Sequence, residues 1–330
     1  MDLLANTVPF NLLSKKHPCV RVPRLLHHDV AQHILIIEDL GSLSTVDQWL
    51  EMDKHLLESQ SAAVGEVLGT FLADFHLSTT TQNREYLATQ FKNNDIHNVI
   101  YSQVIQPVLD IINEYDIPNA KHIYEIIERE FRHVQQFPQK VLNLGDLWPG
   151  SILVGQSATT VGVIDWEFAG LAHPSQDIGQ FGLSPHPIGL TLAAHLHYKI
   201  LMEQDFSETY RNFSAGLFTS YGTRLRERNA SWLSPDAIDG YVRSLWIIHG
   251  RELINSTTFS KSCPCKEPRC HHLHSAVQRG VEYIRGAVDS KLDYEKDNFL
   301  QPIYQLSDAP KLRSPISVPQ KENLKLEPAV

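Results

Sequence analysis

Residues 143–151 read NLGDLWPGS and residues 161–170 read VGVIDWEFAG, and the fold turns on how these two stretches are joined. The region is β-branched and rich in turn residues. This predicts a loop over 144–150, a strand over 151–154, a turn over 155–159 and a second strand over 160–165. Antiparallel partners lie about 5 Å apart. A hairpin therefore brings Ser151, at the start of the first strand, beside Asp165, at the end of the second, and the loop sets Asp146 nearby. Two carboxylates and a hydroxyl at one rim suit a hard cation such as Mg2+, which takes oxygen ligands. Phosphoryl transfer needs a cation to bridge the nucleotide phosphates and a carboxylate to orient the attacking hydroxyl and accept its proton. On this reading Asp165 holds the metal, Ser151 is an auxiliary ligand, Asp146 faces the acceptor alcohol, and Glu167 supports from behind Asp165. A Gly-Asp-Leu turn or an Ile-Asp strand end is ordinary turn chemistry when met singly. The pair across one hairpin is what points to a site.

Upstream, residues 18–41 read as two short strands around the turn HDVAQ, the second being the apolar run HILIIEDL. Residues 61–77 predict a helix, with Val64, Val67, Leu68, Phe71, Leu72 and Phe75 on one face; Gly65 and Gly69 lower its propensity but permit a close neighbour. Further helices are expected over 95–114, bent near Pro107, and over 118–135, with Asn119 placed as a cap. From 186 to 290 the pattern is helical again, with a start signal at Ser234-Pro235-Asp236. The proline-rich segment from about 302 reads as a disordered tail.

The 330 residues, 42% of them apolar, suffice for one large domain or two lobes sharing a cleft. A net charge of −9 argues against a general nucleic-acid binder. There is no run of about 18 apolar residues and no secretory signal pattern at the start. Four cysteines do not make a disulfide framework, so a reducing, cytoplasmic setting is expected, with no membrane and no nucleic-acid partner.

The stretch 142–179 resembles the catalytic core of the aminoglycoside phosphotransferase and choline kinase superfamily. Its Gly-Asp-Leu-x-x-Gly-Ser and Asp-x-Glu forms are most similar to 5-methylthioribose kinase-like fungal members. The resemblance extends over about 20–290. It implies an α+β, protein kinase-like two-lobed fold: a truncated N-terminal β lobe with hinge strands over 1–41, and a large, mostly helical C-lobe over 42–300 carrying the catalytic hairpin (144–170), followed by the tail, 301–330. It further implies ATP and Mg2+ as cofactors and a small-molecule hydroxyl as substrate. Asp146 is the expected catalytic base, Asp165 the metal ligand with Ser151 auxiliary, and Asp177 a brace for the catalytic loop. The backbone of Glu38, Asp39 and Leu40 is expected to meet the adenine edge.

The chain departs from the family pattern at two places. Leu144 stands where the family has a loop-supporting histidine. Ahead of the hinge there is no glycine before Gly41, no glutamate before Glu38, and no lysine but Lys15 and Lys16, so the usual phosphate loop, strand lysine and helix glutamate are missing. Two readings follow: a kinase chain that starts inside the family domain, or a kinase-like binding module without turnover. A metal-dependent hydrolase is a third, less supported by the surrounding residues.

Cys263, Cys265 and Cys270, with the adjoining histidines, could offer structural zinc ligands, against a plain reduced loop as the blander reading. His76 and His249 read as satisfied buried imidazoles. Trp148 either walls an acceptor pocket or packs in the loop. Arg243 and Arg251 either face substrate or form ion pairs.

Overall fold

The computed structural model describes residues 13, 15–52, 54–91, 96–179, 192–202, 206–257, 270–289 and 299–304. Its strands are β1 (Val20–Arg21), β2 (Leu25–Asp29), β3 (Ile34–Ile37), β4 (Leu43–Thr45), β5 (Val141–Asn143), β6 (Ile152–Gly155), β7 (Val161–Val163) and β8 (Gly170–Ala172). β6 and β7 form the expected hairpin, pairing Ile152 with Val163 and Val154 with Val161. β4 adds antiparallel to β6, and β1 adds parallel to β7, giving the order β1-β7-β6-β4. β5 pairs with β8, so the loop carrying Asp146 leaves one small sheet and enters another.

The helices are α1 (Val46–Leu50), α2 (Lys54–Leu77), α3 (Arg84–Gln90), α4 (Ile96–Ile100), α5 (Val108–Glu114), α6 (Ala120–Gln136), α7 (Gln176–Gly179), α8 (Leu192–Leu201), α9 (Ser207–Glu227), α10 (Ile238–Asn255), α11 (His271–Asp289) and α12 (Gln301–Tyr304). α2 is the helix expected over 61–77, extended by seven residues at its start. Val64, Leu68, Phe71, Leu72 and Phe75 are buried as the spacing required. Its glycines do allow the close neighbour: a Cβ at Gly65 would collide with the Phe213 carbonyl, and one at Gly69 with the Leu217 carbonyl, both on α9. Gly65→Val is therefore expected to cost at least about 2 kcal/mol in a urea melt.

The helix expected over 95–114 is α4 and α5, joined by a π-helical turn (Tyr101–Ile105) ahead of Pro107. α6 begins at Ala120, but Asn119 does not cap it by side chain. Asn119 takes a left-handed conformation (φ 62°), and its carbonyl receives the His122 and Ile123 amides.

One apolar core joins strands β1, β7 and β6 to α2, α9 and α10, and a second lies among α5, α6, α10 and α11. Of the segment expected as a tail, residues 301–304 form α12, which lies against Gly222 of α9 with Ile303 fully buried; Leu300, just before it, is buried too. Residues 305–330 fall outside the described residues, as do Cys263 and Cys265. Cys270 is buried and its Sγ accepts the Leu273 amide at the start of α11.

The amino-terminal piece is tied down at Asp74 of α2. Burial would raise this carboxyl, but hydrogen bonds from His17, Arg224 and Lys16 outweigh it and hold the carboxyl well below its usual range. By contrast, the β2–β3 hairpin is open on both faces. Leu26, Val30, Ile34, Leu35, Ile36 and Ile37 are between 38% and 70% exposed, so the apolar run HILII contributes little burial to the described fold. Ile36→Thr should change stability by less than about 1 kcal/mol, in contrast to Gly65→Val.

Candidate active site

The loop after β5 is held by one side chain. Asp177, on α7, accepts the Leu144 amide at Oδ2 (2.7 Å) and the Gly145 amide at Oδ1 (2.9 Å). His76, at the end of α2, meets the same Oδ2 through Nε2 at 3.0 Å, and its Nδ1 lies 2.8 Å from the Tyr221 hydroxyl. A carboxylate only accepts, so Nε2 donates to Asp177. Asn143 completes the brace by accepting the Asp177 amide at 3.2 Å. Leu144 is fully buried in the core. The loop amides are oriented by Asp177.

Gly145 makes the turn. Its φ is +80°, and a Cβ there would collide with the Phe168 carbonyl, so only glycine fits. The turn delivers Asp146 into the interior, 3% exposed, with Oδ1 buried and without a hydrogen-bond partner. Burial, then the charges of Asp165, Glu167 and Asp177, push its carboxyl up to about 7. A lone buried carboxylate oxygen is costly, and costs of this kind concentrate at functional sites.

The hairpin register is as expected, since the Ile164 amide donates to the Ser151 carbonyl at 2.9 Å. Asp165, however, does not end a strand. β7 stops at Val163, and Asp165 turns the chain in a left-handed conformation (φ 61°) into a short 3-10 turn, Trp166–Phe168. Aspartate tolerates that region better than most residues, and the Trp166 indole closes the strand end by donating to the Val163 carbonyl at 2.9 Å. The Asp165 Oδ2 accepts the Trp148 indole N–H at 3.1 Å. Glu167 is raised by burial and by the Asp165 charge. The Ser151 hydroxyl is engaged locally: it accepts the Trp148 amide (3.0 Å) and donates to the Trp148 carbonyl (2.8 Å), which leaves one lone pair.

Among the described residues no three His, Cys, Asp or Glu side chains converge as a ready metal site. A cation that keeps its waters and takes phosphate oxygens needs only one or two carboxylates, so Asp165, with Glu167 two residues on, fits Mg2+ chemistry of that kind.

At the expected hinge, Glu38 is held by Arg24 and Arg21, its amide donates to the Arg24 carbonyl, and Leu40 is buried with its carbonyl accepting Arg21 at 3.1 Å. Asp39 Oδ1 accepts the Gly41 amide at 2.8 Å. Arg243 lies 3.7 Å from Glu130, and Arg251 pairs with Glu252 in the interior at 2.5 Å; both are ion-paired, as the blander reading had it. His249 shares a hydrogen bond with His197 at 2.9 Å.

The chain belongs to the phosphotransferase enzyme family: the model of that family matches residues 10–199, more than half of the chain. Its build is α+β, a small sheet region and a mostly helical remainder. It is similar to the 4-hydroxytryptamine kinases of Psilocybe cyanescens, 26% identical over 177 residues, and Psilocybe cubensis, 21% identical over 168 residues. The matches cover 52% and 49% of this chain, which spans about half the length of those relatives, 48% and 46%. Among solved structures it is similar to Plasmodium vivax ethanolamine kinase (13% identity, TM-score 0.39, 86% of this chain and 73% of that one). It is also similar to the choline kinase LicA of Streptococcus pneumoniae (13% identity, TM-score 0.38, 84% and 79%).

Proposed function

We propose that this chain carries the acceptor-activating and metal-holding part of an ATP- and Mg2+-dependent kinase that phosphorylates a small-molecule hydroxyl. The observation that carries the reading is Asp146: a buried carboxylate with an unpartnered oxygen, raised to about 7, on a loop pinned by two backbone amides. A base near neutral pKa balances availability against proton-accepting strength. Asp146 orients the acceptor hydroxyl and takes its proton at Oδ1. Asp165 holds the metal, with Glu167 beside it and Ser151 shaping the turn beneath. The metal, when bound, bridges and neutralises the nucleotide phosphates. At the hinge, the backbone of Glu38, Asp39 and Leu40 meets the adenine edge, where the Glu38 amide and the Leu40 carbonyl are already engaged within the chain. Asp177 and His76 keep the loop in register for this chemistry.

The names of the relatives make 4-hydroxytryptamine the first acceptor to try. The test is ADP release from ATP and Mg2+ with 4-hydroxytryptamine, choline, ethanolamine and an aminoglycoside, and the product mass checked for an added phosphate. The expected result is acceptor-dependent ADP release with a phosphorylated product. Thermal stabilisation by Mg-ATP without any product would favour the binding module instead. Neither stabilisation nor product would remove the nucleotide reading.

A further inference from the structure

Trp148 is half-buried, whereas the other four tryptophans of the chain are buried. Its indole N–H reaches Asp165 Oδ2 at 3.1 Å across 17 residues of chain. Three local features hold the ring there. Residue 150 is glycine, and a Cβ at that position would collide with ring carbons Cη2, Cζ2 and Cζ3. The Ser151 hydroxyl fixes the Trp148 backbone from both sides, at its amide and its carbonyl. Asp165 itself is set by its left-handed turn and by the Trp166 indole bond that closes β7. Packing alone would not require the polar edge of Trp148 to point at a carboxylate.

We propose that Trp148 is a positioning residue for the metal. Its N–H fixes the rotation of the Asp165 carboxylate by holding Oδ2, which leaves Oδ1 for the cation. The inference rests on Asp165 being the metal ligand. The donor type suits the task. A lysine or arginine in this place would neutralise the carboxylate and compete with the cation, while an indole N–H orients it and leaves its charge intact. The same bond ties the metal-holding residue to the loop of the base, since Trp148 lies two residues after Asp146. Hydrogen bonds that orient a ligating carboxylate are commonly worth about 10–100-fold in metal affinity.

The test is Mn2+ binding to the full chain without nucleotide, followed by the electron paramagnetic resonance of free Mn2+ and by quenching of tryptophan emission. It compares wild type, Trp148→Phe and Asp165→Asn, each checked for its melting temperature in the absence of metal. Trp148→Phe keeps an aromatic ring, a smaller one, and loses the donor. It should bind Mn2+ about 10–100-fold more weakly, with most of the Mn2+-dependent quenching gone at equal occupancy. Gly150→Ala, which displaces the ring without removing it, should weaken binding in the same direction and guards against a folding defect of the phenylalanine variant. If Asp165→Asn loses Mn2+ while Trp148→Phe and Gly150→Ala bind as tightly as wild type, the positioning role is wrong and the metal reading stands. If Asp165→Asn binds Mn2+ like wild type, Asp165 is not the ligand and the role of Trp148 falls with it.

Discussion

Asp146→Asn is expected to lower phosphoryl transfer by about 10^2–10^4-fold and, at pH 8, to make the metal-free protein more stable. The two effects have one origin. Asp146 is buried, with its carboxyl raised from 3.8 to about 7, so the folded state holds its proton more tightly than the unfolded state does. Below about pH 4 both states are protonated and the group costs nothing. As pH rises from 4 to 7 the unfolded chain ionises first, and stability falls. Above pH 7 the penalty is constant, roughly 2–4 kcal/mol for a change of this size. Asparagine keeps the shape and removes the titration. Its stabilising effect should be absent near pH 4, grow through neutrality and level off above it. Urea melts at pH 4, 6 and 8 without metal check the sign. A variant that is inactive and no more stable at pH 8 than at pH 4 would show that Asp146 is not held as a strained buried base. Wild-type turnover in the variant would remove it from the base role.

Asp177→Ala should produce the largest loss of stability, about 3–5 kcal/mol, in a urea melt. Asp177 receives the Leu144 amide, the Gly145 amide and the His76 imidazole, and it is 2% exposed. Alanine leaves these buried donors without an acceptor, at about 1–3 kcal/mol each before relaxation. It also frees the turn that places Asp146, so activity should fall more than the stability loss alone explains. His76→Phe removes one donor and keeps the other two paired, and should cost less, about 1–2 kcal/mol. Equal costs for the two variants would mean that the Asp177 carboxylate does not organise the loop amides.

Much of the site was legible because its geometry is local. A hairpin has a period of two and a short turn, so Ser151 and Asp165 were expected near one edge, and the Ile164 amide does donate to the Ser151 carbonyl, one residue before Asp165. The brace was only half legible. His76 could be read as a core position because it continues the Phe71, Leu72, Phe75 face, but its partner Asp177 is 101 residues away, and no local pattern encodes that distance. The same limit applies to Tyr221. The left-handed turn at Asp165 was hidden for another reason: Ile-Asp continues a β-branched run, and only the closure by Trp166 and the turn into residues 166–168 ends the strand. The β2–β3 hairpin was readable as strands from its pattern, yet an apolar run reports what a segment can bury and not whether a partner covers it, and here Ile34–Ile37 stand in solvent. At α12, a proline-rich composition concealed Ile303, which is buried where α12 lies against Gly222 of α9.

The most direct measurement is an anomalous difference map from crystals grown with Mn2+ and a non-hydrolysable ATP analogue. A manganese peak bonded to Asp165 at about 2 Å and to phosphate oxygens, with Asp146 Oδ1 facing the open acceptor side of the same cavity, is the expected result. Manganese bound elsewhere, or Asp146 and Asp165 lining no common cavity with the nucleotide, would contradict a phosphoryl-transfer site built on these two aspartates.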